Sequence, residues 1–243
     1  MDDPLDLCFT RREGCKLPVG ADAGRAMWLN VVITPSPRNG RYRMFERLFD
    51  ALHAAQSRVV YLNIGIQPYA MPESLELSVR RFLRDATFLR RVKLEWRNLD
   101  LVEDNEGVEM LDCVGHAVSV VFPTKLPSTL LHFRCGGWAT PAGRACVVAR
   151  ICKLAPWLQH MDIADVSEDV GPLIEAAEPC PHVTLTLGSF IREERVIAAL
   201  TDAVMQSSTL EQLDVIMNEK PVVLPPDVVA KLHENETMAY VLK

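Results

Sequence analysis

No stretch of this chain of 243 residues stays apolar for the roughly 18 residues that a membrane helix needs. A membrane-spanning helical protein is therefore not expected, and the chain reads as soluble. It also lacks the start of an exported protein. Met1-Asp-Asp-Pro-Leu-Asp is acidic and leads into no apolar run, unlike a signal peptide or an Arg-rich transit peptide. A disulfide framework is missing as well. The 7 cysteines are an odd number in a chain large enough to build its own core, so they read as free thiols packed as small hydrophobes. That usage suits a reducing compartment inside the cell. Positive charge is in short supply: Lys and Arg total 26 against 32 Asp and Glu, a net charge of -6. This argues against a general nucleic-acid binder.

Catalytic signatures are absent too. There is no Gly-x-Gly-x-x-Gly, no Gly-Lys-Ser/Thr and no Gly-x-Ser-x-Gly. The closest approach to a phosphate loop is Cys135-Gly-Gly-Trp-Ala-Thr-Pro, after a strand and before a helix, where Gly136-Gly137 would form the turn. Pro141 removes a backbone donor there, and a repeat turn with a helix cap at Thr140-Pro141 accounts for the same residues. Cys135 lies near His132 but at an inward position, where a thiol is inert. Cys8 and Cys15 are too few for a zinc site.

What the chain does contain is ordinary globular composition, 49% hydrophobic and 24% charged, carrying a recurring pattern. Apolar-x-x-apolar-x-apolar occurs as Val59-Val-Tyr-Leu-Asn-Ile64 and again at 89–94, 130–135, 158–163, 180–185 and 210–215. Looser copies stand at 26–31 and 237–242. Each copy reads as a strand, and a helical spacing of apolar residues follows most of them. The expected helices cover 40–56, 73–83, 105–117 (with a stray strand at 118–122), 142–154, 168–177, 191–205 and 226–233.

Strand, turn and helix repeated at this period resemble the leucine-rich repeat superfamily, in its ribonuclease-inhibitor-like class, over about residues 26–242. The family's usual turn asparagine is matched only by Asn218; Thr34, Gln67, Arg97, Trp138, Val166 and Gly188 stand at that place elsewhere. The resemblance implies an α/β solenoid, with a parallel sheet on the concave face and helices on the convex face. Residues 1–25, with Leu5, Leu7 and Phe9, would cap about eight irregular repeats in 26–243. A doubly wound α/β fold is the rival architecture.

Aligning the repeats places outward residues in two columns. One holds Trp28, Tyr61, Arg91, His132, His160, His182 and Gln212; the other holds Asn30, Asn63, Lys93, Arg134, Asp162, Thr184 and Asp214. The face grades from aromatic and polar through basic (Arg90, Arg91, Lys93, Arg97, Arg134) to acidic (Asp162, Asp165, Glu211, Asp214), which suits an extended partner of complementary charge. The three histidines form a ladder, but no carboxylate or cysteine of ligand spacing is expected beside them, so neither metal nor cofactor is assigned. The expectation is a non-enzymatic protein-interaction module or complex subunit. Its contacts would be Trp28, Tyr61, Arg91, Lys93, His132, Arg134, His160, Asp162, His182 and Asp214. Two alternatives stay open: a substrate receptor like those that carry an F-box before similar repeats, here without that module, and an α/β enzyme with a phosphate site at Gly136-Gly137. The basic stretch leaves an RNA contact as a minor reading.

Overall fold

The structure, a computed structural model, describes residues 5–9, 26–33, 42–54, 58–66, 71–114, 122–136, 143–167, 170–188 and 191–241. The fold is α/β with mostly parallel strands. Its described residues divide into two compact units between Thr129 and Leu130.

In the first unit five strands lie side by side in chain order, all parallel: β1 (Leu5–Phe9), β2 (Met27–Ile33), β3 (Val59–Ile66), β4 (Arg91–Glu95) and β5 (Met110–Val114). The connections of β2 to β3 and β3 to β4 carry α1 (Tyr42–Ala54) and α2 (Glu73–Asp85), which pack beside each other. Both helices follow the apolar spacing of the sequence. Phe45, Leu48, Phe49 and Leu52 are buried on α1, and Leu75, Val79, Phe82 and Leu83 on α2. The rings of Phe49 and Phe82 meet at 5.7 Å. Pro72 precedes the first turn of α2, where Glu73 and Glu76 suit the positive end of the helix dipole.

Over 105–114, the described part of the helix expected at 105–117, no α-helix forms. Its place is taken by a 3-10 helix, Trp96–Val102, and by β5. Asn105 is the physical reason. Its buried side chain accepts hydrogen bonds from the backbone N–H groups of Gly107 and Val108, both at 2.8 Å, and donates to the Leu83 carbonyl. Such an Asn turn competes with helix formation. The strand that follows is a further copy of the repeat pattern: Val108, Leu111 and Cys113 are all buried.

In the second unit β6 (His132–Cys135), β7 (His160–Val166), β8 (His182–Leu187) and β9 (Gln212–Met217) are again parallel and in chain order. Between them run α3 (Arg144–Leu154), α4 (Val170–Ala177) and α5 (Glu193–Gln206), each packed against the next. Asn218 and Glu219 both have positive φ, 50° and 63°, and turn the chain into β10 (Lys220–Pro221), antiparallel to β9. Asn218 therefore serves a hairpin rather than a turn between repeats.

The expected strand at 237–242 is also replaced, by α6 (Pro226–Val241). Val228, Leu232 and Asn235 are buried at i, i+4 and i+7, one helical face. Asn235 donates to the carbonyls of Ser207 and Leu210, tying α6 to the turn before β9.

Along β4, β7 and β8 buried residues alternate with half-exposed ones, whereas a doubly wound sheet is covered on both faces. Of the N-terminal cap segment only Leu5–Phe9 is described, as β1. Of the stray strand expected at 118–122 only Phe122 is described, in no strand, and the Thr140-Pro141 cap lies outside the described residues.

Candidate functional site

Pleating sends alternate side chains to opposite faces, so the inward set (Leu62 and Ile64, Val92 and Leu94, Met161 and Ile163, Val183 and Leu185) is buried and the residues between them line the open face. Register then decides which of them meet.

On the first unit Trp28 pairs with Tyr61, Tyr61 with Arg91 and Arg91 with Met110. The Trp28 and Tyr61 rings meet edge to face at 6.0 Å, and the Arg91 guanidinium lies 5.5 Å over the Tyr61 ring. In the next row Asn30, Asn63, Lys93 and Asp112 are neighbours. Asn63 donates to Asn30 at 3.1 Å. Trp28 is 48% exposed, a large aromatic surface left in solvent.

Asp112 changes the charge of this face. It was read as part of a helix, yet it stands beside Lys93 and binds Arg91 at 2.6 Å. Arg97 pairs with Glu95 at 2.7 Å, and Arg90 with Glu109 at 3.2 Å. The basic stretch expected here is thus largely neutralised within its own unit. No partner is seen for Lys93 among the described residues.

On the second unit the register aligns His132, His160, His182 and Gln212, and in the next row Arg134, Asp162, Thr184 and Asp214. The rings of His132 and His160 stack 4.4 Å apart, and His182 meets His160 edge to face at 6.2 Å. The sequence reading set no carboxylate beside these histidines; Asp162 corrects it. His132 Nε2 lies 3.0 Å from Asp162 Oδ2, and His160 Nε2 lies 2.9 Å from Asp162 Oδ1 and 3.0 Å from Thr184 Oγ1. A carboxylate only accepts, so both Nε2 atoms donate to Asp162 in this arrangement. His182 Nε2 is 3.8 Å from Glu211. Asp214 accepts from Gln212 at 2.9 Å, while no partner is seen for the exposed Arg134 among the described residues.

Burial pushes the His160 imidazole below its usual value; Asp162 opposes this, and His132 and His182 lower it further. Burial acts to raise the Asp162 carboxyl, but the hydrogen bond from His132, the two imidazoles and the Thr184 hydroxyl outweigh it and hold the group below its usual range.

Gly136, the described part of the expected phosphate turn, is buried, and a Cβ added to it would stand 3.4 Å from the Asp165 carboxylate. That negative charge opposes a phosphate. The remainder of that turn lies outside the described residues. A hollow of about 580 Å³ opens elsewhere in the first unit, between Leu52, His53, Phe82, Asp85, Thr87 and Phe88. His53 and Asp85 meet there at 2.7 Å. No helix among the described residues is long and apolar enough to cross a membrane.

Set against protein-family models the chain matches none, and no curated protein matches it.

Proposed function

We propose that this protein is a non-enzymatic interaction module, an α/β solenoid of leucine-rich-repeat type that binds a protein partner through the open face of its strands. The observation that carries the reading is one-sided burial. Along β4, β7 and β8 the inner side is buried and the other side stays half-exposed, where rows of aromatic, amide and charged side chains line up. Extended rows of this kind suit a segment of another protein laid across the strands, with aromatic residues as anchors and Lys93 and Arg134, for which no partner is seen among the described residues, setting charge preference.

The partner is expected within a multi-subunit assembly in a reducing compartment of the cell. Nucleic acid is disfavoured, because Arg91, Arg90 and Arg97 are occupied by acidic neighbours. An enzymatic role for the Gly136 turn is disfavoured by the adjacent Asp165.

Affinity purification from the native source tests the proposal, followed by reconstitution of each stoichiometric co-purifying protein with the purified chain. A stable binary complex of defined stoichiometry is the expected result. A chain that reconstitutes with no protein, and whose thermal midpoint instead rises with a nucleotide or phosphate ligand, would overturn it.

A further inference from the structure

The second unit's open face holds a cluster that partner binding does not explain. We propose that His132, His160 and Asp162 form a site for one divalent transition-metal ion, zinc being the ion that two imidazoles and a carboxylate suit best. One ligand atom from each of the three residues lies within 4.8 Å of the others. A four-coordinate zinc with bonds of about 2.0–2.2 Å needs its donors roughly 3.3 Å apart. The two Nε2 atoms already stand 3.0 and 2.9 Å from the two oxygens of the one carboxylate.

The fold builds this convergence. Parallel pairing of β6 and β7 sets His132 directly beside His160. Asp162, two residues after His160, shares its face by the pleat. All three residues are half-buried, with side-chain exposures between 23% and 32%, so the donors are held by neighbours while one side remains open. That open side is the fourth position, available to water or to a donor from outside the chain.

With the hydrogen bonds as they stand, both Nε2 atoms carry the proton they donate to Asp162. On metal binding each neutral imidazole carries its proton on Nδ1 instead and turns the Nε2 lone pair to the ion. The stacked rings are nearly parallel, at 16°, and one ion cannot lie in both planes. One ring therefore turns about its Cβ–Cγ bond, away from the stack, for which its exposure leaves room. Thr184 holds both Asp162 and His160 in place from the next strand, as hydrogen-bonding groups around metal ligands commonly do.

The site belongs to the chain alone and is independent of the partner reading. Its test is calorimetric titration of the tag-free, chelator-treated full chain with zinc chloride, paralleled by cobalt(II) absorption. Expected are one zinc ion per chain and the visible bands of a low-coordinate cobalt site. Affinity should fall at least about tenfold in His160→Gln and in Asp162→Asn, each checked as folded by circular dichroism, and stay unchanged in Cys146→Ser, which removes an exposed thiol. His132→Gln serves in place of a variant that fails to fold. No zinc uptake by the folded chain, or full uptake by the folded His160→Gln protein, would overturn the proposal.

Discussion

Arg91 shows how one neighbour changes the meaning of a residue. As a sequence position it is a free cation on an outward column. In the structure its guanidinium covers the Tyr61 ring and pairs with Asp112, whose side chain is only 4% exposed. Removing it leaves a nearly buried carboxylate without its counter-charge, so Arg91→Ala should cost about 1–3 kcal/mol of stability. Arg134→Ala, at an exposed position, should stay within about 0.5 kcal/mol. Urea unfolding of the two variants measures the contrast; equal effects would contradict this role for Arg91. The outward columns could be aligned from spacing alone, because alternation along a strand is a local property. What crosses between columns could not. Asp162 reaches His132, and Asp112 reaches Arg91, only through the register of adjacent strands, whereas His160 shares the face of Asp162 by alternation along one strand.

Elements were read well where apolar spacing and turn residues agree, as in α1, α2 and α5, and poorly where two patterns overlap. Residues 108–113 carry the same strand pattern as their neighbours, but helical spacing around them competes with it, and Asn105 decides the outcome through its turn. At the other end, 237–242 matches the strand pattern loosely, yet Val228, Leu232 and Asn235 give α6 a buried face that carries the helix through it. Element ends also carry charge chemistry. Asp85 closes α2, where its negative charge opposes the helix dipole, and Arg84 and His53 compensate. The hydrogen bond from Arg84, then that from His53, bring its carboxyl down to about 2. A depressed folded value contributes stability that is fully present above the unfolded value near about 3.9 and is lost as pH falls toward about 2. The acid limb of stability between those values should therefore flatten in Asp85→Asn, read as urea midpoints at stepped pH. An unchanged acid limb would contradict the pairing of α1 with α2 through this group.

On the proposed reading, the two faces of the strands divide construction from recognition. Apolar residues at every second position fill the core of each unit, and α6 with β10 finishes the second unit, where a Lys-Pro strand makes a poor template for further pairing. Substitutions at exposed open-face positions, unlike Arg91, should therefore leave folding intact and alter binding, while exposed helix positions should tolerate change in both. The most direct measurement is the affinity of the reconstituted partner for two matched variants of the chain. One is Trp28→Ala with Tyr61→Ala on the strand face; the other is Leu77→Ala with Met205→Ala, exposed residues of α2 and α5. The account predicts that the first pair weakens binding by at least about tenfold, roughly 1.4 kcal/mol, while the second leaves it unchanged, both chains remaining folded by circular dichroism although the first loses the Trp28–Tyr61 ring contact. Binding that survives the strand-face pair and is lost with the helix-side pair would contradict it.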